Sequence, residues 1–227
     1  MRKLNISLIA ILTVLTTAQA YAAPMSMRSQ YLVTLIQQKG GRHGVFMQGG
    51  PMNELMLLRR SDVRADLKLT DSQQTKLKDA QTGLRQSFQS GDRKGAFKTY
   101  QTALESILTP DQKNRLHQIS IQLDGPLAVL MPDVSKALKL TPEQKEKIKE
   151  LQAKEVLANE NLFKKMRSGL MDRQAGMDAL KKNRDILKKV IEGILTDDQK
   201  TKLTELGGKK FKATDSKSGF NGGRPGG

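Results

Sequence analysis

A hydroxyl and a carboxamide stand three residues apart four times in this chain, at Thr70 and Gln73, Thr109 and Gln112, Thr141 and Gln144, and Thr196 and Gln199. Each pair follows a leucine: Leu69, Leu108, Leu140 and Leu195. Their spacing suits one kind of chemistry, hydrogen bonding to the start of a helix. The threonine oxygen accepts from the amide three residues on, and the glutamine reaches back to the threonine amide, so two orphan donors are satisfied reciprocally. Pro110 and Pro142 occupy the first helical position, where a missing N–H costs nothing, and Asp71, Asp111, Glu143, Asp197 and Asp198 set negative charge against the positive helix end. The leucines are expected to turn inward, although the fourth helical residue is Gln or Lys in every copy, so no full hydrophobic staple forms. Losing one such threonine is expected to cost about 1 kcal/mol.

Parts for catalysis are scarce. The chain has no cysteine and two histidines, His43 and His117, so it offers no thiolate nucleophile and no metal-ligand spacing. It also lacks a nucleophile elbow and a phosphate loop, and Gly49-Gly50-Pro51 reads as a turn. Neither an enzyme nor a cofactor or metal protein is expected. Met25, Met27, Met47, Met52 and Met56 cluster before the first motif and raise the question of Cu(I), which thioethers favour; packing of Met52 and Met56 on one helix face is the stronger reading. Glu143 and Glu150 precede Lys147 and Lys154 at i,i+4 spacing and read as surface ion pairs. Lys181, Lys182, Arg184, Lys188 and Lys189 lie largely off the apolar stripe of their helix.

Internal repetition places these residues on elements. A shift of 71 lays Asp62, Val63, Leu67 to Thr70, Gln73, Lys76, Lys78 and Gln81 on identical residues, ten in twenty positions. A shift of 87 lays Ile107, Leu108, Thr109, Asp111, Gln112, Lys113 and Leu116 on the run from Ile194 to Leu203. Two units therefore begin and end alike, and the middle of the second is sixteen residues longer, equivalent to roughly two helical turns in each arm of a hairpin. Apolar spacing of three and four gives those arms: Leu77, Ala80, Leu84 and Phe88 against Phe97, Tyr100, Leu104 and Ile107 in the first unit. In the second, Ile148, Leu151, Ala158, Leu162 and Met166, interrupted by Glu155, face Met177, Leu180, Leu187, Val190 and Ile194. The fold predicted is all-α, two tandem helical-hairpin units over residues 50–124 and 125–206 with the boundary at Asp124-Gly125-Pro126. Residues 23–49 hold a short helix and a glycine-rich loop, and 207–227, rich in Gly, Lys and Ser, read as a disordered tail.

Compartment and charge narrow the partners. Arg2 and Lys3, the apolar run Ile6 to Leu15 and Ala20-Tyr21-Ala22 form an expected signal peptide over 1–22, whose apolar run is too short to span a bilayer. The formal charge of +16 becomes +14 when Arg2 and Lys3 leave with it. Outside the cytoplasm such a charge points to acidic protein segments, lipid headgroups or wall polymers, and not to nucleic acid. Aromatics make up 4% and hydrophobics 37%, with no Trp, so an aliphatic core must supply the stability that disulfides cannot.

An exported, basic, cysteine-free helical chain with repeated Leu-Thr-x-x-Gln resembles the Spy/CpxP-like periplasmic proteins, on the four motifs starting at Leu69, Leu108, Leu140 and Leu195. The resemblance implies an ATP-independent chaperone or envelope-stress protein binding unfolded or acidic clients, with Lys181, Lys182, Arg184, Lys188 and Lys189 as the candidate client-binding residues. Members carry two motifs in one short unit that dimerises as a cradle, so four motifs imply an internally fused equivalent of that dimer. The His and Cys ligands of the metal-sensing relatives are missing. A structural protein docking on anionic envelope polymers, or on one folded partner, is the other reading.

Overall fold

All four motifs start helices in the computed structural model, which describes Glu54, residues 56–91 and residues 93–214. The expected signal peptide, the segment 23–49 with His43, Met25, Met27 and Met47, and also Met52 and residues 215–227, lie outside the described residues. At every motif the threonine N–H donates to the glutamine Oε1 at 3.0 Å, and the glutamine N–H donates to the threonine Oγ1 at 3.2 Å. The four leucines ahead of them are all buried.

The described elements are all helical: α1 (Ser61–Asp66), α2 (Asp71–Gln89), α3 (Arg93–Ile107), α4 (Pro110–Asp124), a 3-10 segment (Gly125–Leu130), α5 (Pro132–Ala137), α6 (Pro142–Arg167), α7 (Arg173–Ile194) and α8 (Asp197–Leu206). The fold is all-α. Helices α2 and α3 pack as one hairpin and α6 and α7 as another. The arms are 19 and 15 residues in the first and 26 and 22 in the second, so each arm gains seven residues and the turn supplies the rest of the sixteen.

Both units enter their hairpin by the same device. Helix α1 ends with Lys68 N–H on Ala65 O at 3.1 Å and Leu69 N–H on Arg64 O at 3.3 Å; α5 ends with Lys139 on Lys136 at 3.1 Å and Leu140 on Ser135 at 3.3 Å. This paired closure needs a left-handed residue, and here it is a lysine: φ is 51° at Lys68 and 50° at Lys139. A side chain in that region costs roughly 1 kcal/mol relative to glycine. Lys68→Gly and Lys139→Gly are each expected to raise stability by about 0.5–1 kcal/mol, read as a higher denaturant midpoint at unchanged slope.

The chain groups into two units that differ from the expected boundaries. Among the described residues, the second spans 129–200, and the first combines those up to Ala128 with Thr201 to Thr214. The last part of α8, expected in the second unit, therefore belongs with the first, where Gly207 O receives a hydrogen bond from Gln122 Nε2. The core of the first unit gathers Leu57, Leu58, Val63, Leu67, Leu77, Tyr100, Leu116, Ile119 and Phe211. Phe211 corrects the expected tail: residues 207–214 are an ordered strap, because an aromatic ring in this glycine- and lysine-rich segment finds an apolar site and the strap's amides find side-chain partners. In the second unit Ile148, Val156, Leu187 and Ile191 are buried, while Val190, expected on the inner stripe, is 39% exposed and Ile191 takes its place.

Candidate functional site

Two arrangements collect the polar and charged residues that the sequence singles out. The first is at the open end of each hairpin, opposite its turn, where antiparallel arms bring the start of one motif helix beside the start of the other. Gln73 Nε2 donates to Ile107 O (2.8 Å) and to Gln112 Oε1 (2.7 Å), while Gln112 Nε2 donates to Leu67 O (3.2 Å) and to Gln73 Oε1 (3.1 Å). The second unit repeats it: Gln144 reaches Ile194 O (3.0 Å) and Gln199 (2.8 Å), and Gln199 reaches Leu138 O (3.3 Å) and Gln144 (3.0 Å). Each carboxamide thus caps its own helix with its oxygen and clasps the opposite motif with its nitrogen. Each Thr oxygen and each Gln carboxamide is engaged within the fold, and the four leucines are buried, so the motif residues serve the fold.

Other polar residues that the sequence singles out also have partners within the fold. His117 Nδ1 lies 2.8 Å from Glu54 Oε1. Glu150 pairs with Lys154 at 2.8 Å. Glu143 turns to the helix start, where its own backbone N–H and then the Thr141 side chain hold its carboxyl below the usual range.

The second arrangement is the distal end of the long hairpin. The last turns of α6 and the first of α7 carry Leu162, Phe163, Met166, Met177 and Leu180, all half-buried, and the turn between them carries half-buried Met171 and Leu170, 81% exposed. Lys164, Lys165, Arg167, Arg173, Lys181 and Lys182 are exposed around them. Gly176 is buried here, and a Cβ at that position would overlap the Met166 side chain, so the missing methyl admits the thioether between the arms. Thioethers are polarizable and adaptable, the property that suits surfaces able to repack around different partners. Periodicity assigns Met166 and Met177 to the inner stripes and does not disclose this cluster; the two extra turns per arm are the available signal.

Of the five candidate client-binding residues, Lys181, Lys182 and Lys189 are exposed and Lys188 is half-buried. Acidic side chains interrupt them: Lys181 lies 3.9 Å from Asp185, and an open depression of about 370 Å³ is bordered by Lys182, Lys188 and Lys189 together with Asp185, Ile186 and Glu192. Arg184 is half-buried and acts on Glu155, which lies inside the hairpin at 7% exposure with Oε2 unpaired. Desolvation pushes the Glu155 carboxyl up, against smaller lowering effects from an Asn159 hydrogen bond and the Arg184 charge. Asn183 Nδ2 donates to Asn159 Oδ1 at 2.9 Å, completing a polar layer between the arms. The basic residues of α7 therefore divide into a mixed-charge outer face and one inward arginine.

Comparison of the chain with protein-family models, with characterised proteins and with solved structures finds no match.

Proposed function

We propose that this chain is an exported, Spy/CpxP-like binding protein of the chaperone type, which holds unfolded or acidic polypeptide segments without ATP. The observation that supports it is the end of the long hairpin, where Leu170 is 81% exposed among half-buried methionines and surrounding cations. Apolar side chains supply nonspecific burial and the surrounding Lys and Arg attract acidic clients from a distance. No nucleotide, metal or catalytic group enters this reading.

The full-length protein at a few-fold molar excess is expected to suppress aggregation of a denatured acidic client at low salt. The double variant Leu170→Ser, Arg167→Glu should weaken suppression about tenfold, a loss of about 1.4 kcal/mol per client bound, while leaving the thermal melt in place. Equal suppression by wild type and variant would remove the hairpin end from the function, and none by wild type would sink the chaperone reading itself.

Exposed Lys209, Lys210 and Lys212 favour the second reading, docking on anionic envelope polymers. Salt-sensitive co-sedimentation with anionic lipid or wall preparations, without effect on client aggregation, is its signature.

A further inference from the structure

Past α8 the chain is held as a bound peptide would be. From Gly207 to Thr214 it forms no helix, and the carbonyls of Gly207 and Lys209 and the amides of Phe211 and Thr214 are taken up by side chains of α1 and α4. Gln122 Nε2 donates to the carbonyls of Gly207 and Lys209, and Gln122 Oε1 accepts from Phe211 N–H at 2.8 Å. Arg115 Nη1 donates to Lys209 O at 2.7 Å, and Asp62 Oδ2 accepts from Thr214 N–H at 3.0 Å. Past Gly208, whose φ of 64° belongs to the turn closing α8, positions 209 and 211 alternate, as they do when an extended chain turns one edge to a partner. The Gln122 carboxamide, donor and acceptor together, meets that edge as the main chain of a neighbouring strand does.

The groups that read the strap are themselves fixed. Arg115 is clamped on Asp66 by bonds of 2.6 and 3.1 Å, and Asp62 by Arg60 at 2.9 and 2.6 Å. Phe211, 8% exposed, enters the core cluster, and the Arg60 guanidinium lies 5.9 Å from the centre of its ring. Lys209, Lys210 and Lys212 point to solvent. The site therefore reads backbone and one ring, and leaves the other side chains unread.

The repeat provides an internal control. Asp133, the counterpart of Asp62, is exposed; the counterpart of Arg115 is Lys202, and that of Gln122 falls on Lys209, beyond the end of α8. The groove is a property of the first unit alone and no by-product of duplication.

We propose that this face of the first unit is a peptide-binding groove for an extended polypeptide segment with a single aromatic anchor, occupied in cis by residues 207–214 and open to such segments in trans. The inference stands on contacts of the first unit and is independent of the hairpin end. A tethered occupant acts at an effective concentration of about 1 mM, so a competitor must approach that level to displace it from the wild-type chain.

The probe is a labelled peptide Gly-Gly-Lys-Lys-Phe-Lys-Ala-Thr. It is expected to bind the full-length Phe211→Ala chain about tenfold more tightly than wild type, since the mutated strap competes poorly. A peptide with Ala for Phe should bind neither chain, and one with Ser for each Lys should keep its affinity. Because the chain has no cysteine, Lys212→Cys gives a single labelling site on an otherwise intact protein, and millimolar peptide is expected to raise the mobility of that label. This second measurement decides the matter even if Phe211→Ala fails to fold. An unchanged label at millimolar peptide, or a folded Phe211→Ala chain that binds no peptide, overturns the proposal and leaves the strap as a fixed part of the fold.

Discussion

Gln112→Glu is expected to destabilise the protein by about 2–4 kcal/mol at pH 7, although glutamate is the residue a helix start would welcome. The capping box survives the change, since a carboxylate oxygen accepts from the Thr109 N–H as the carboxamide oxygen does at 3.0 Å, and its charge suits the positive helix end. A cap-only role thus makes the variant neutral or slightly more stable. The loss comes from the other atom. Gln112 Nε2 donates to Leu67 O and Gln73 Oε1, and an anionic oxygen there faces two acceptors with nothing to donate. Two hydrogen bonds are lost and two half-buried acceptors are left facing a negative charge, each at about 1–2 kcal/mol.

The same geometry sets a pH signature. A glutamate among acceptors has its folded-state pKa raised above the unfolded value, so the folded form is favoured when that group is protonated and can donate again. Stability of the variant should recover as pH falls through the raised pKa and be lost as it rises through it. Thr109→Ala, which breaks only the cap, should cost about 1 kcal/mol with no such recovery. Gln199→Glu should behave alike in the second unit, where Nε2 faces Leu138 O and Gln144 Oε1. Chemical denaturation across pH checks all three, and a Gln112→Glu chain as stable as wild type at pH 7 would show that the clasp contributes nothing.

That experiment separates what the sequence states from what only the fold can. The four helix starts, the two hairpins and their difference in length are legible because capping is local and apolar spacing is periodic; Thr70 and Gln73 need no knowledge of residue 112 to be read as a cap. The clasp joins residues 39 positions apart, and a motif cannot disclose that its leftover donors find each other. Repetition was the one hint, since paired motifs bracket each hairpin. The strap was hidden for another reason: Gly, Lys and Ser around Phe211 have the composition of a disordered tail, and a single ring outweighs that bias only once α1 and α4 exist to receive it. Val190 and Ile191 are adjacent and equally apolar, so the direction of the α7 stripe is decided by packing and not by periodicity.

Glu155 is the one break in the apolar stripe of α6, and it identifies the second large effect. Its carboxyl is buried with Oε2 unpaired, and desolvation raises its pKa in spite of Asn159 and Arg184. The folded state therefore binds the proton more tightly than the unfolded chain, so this residue contributes most at pH below its unfolded pKa and loses that contribution as pH rises through the folded one. At neutral pH the anion is a net burden. Glu155→Gln, which copies the protonated shape, is expected to stabilise the hairpin by about 1–3 kcal/mol at pH 7 and by nothing once pH falls below the unfolded carboxyl value. Subtracting variant from wild type cancels the other carboxylates, Glu143 among them, whose shift has the opposite sign. If the difference between the two proteins is the same at pH 4 and pH 7, the burial of Glu155 is not what governs it, and the attraction of Arg184 and the Asn159 hydrogen bond then balance desolvation. If it grows with pH as expected, the polar layer of Glu155, Asn159, Asn183 and Arg184 is retained at a cost in stability. A purely apolar hairpin would be firmer, and the layer instead fixes which residues of α6 and α7 face each other, because only one alignment of the arms brings Asn183 onto Asn159.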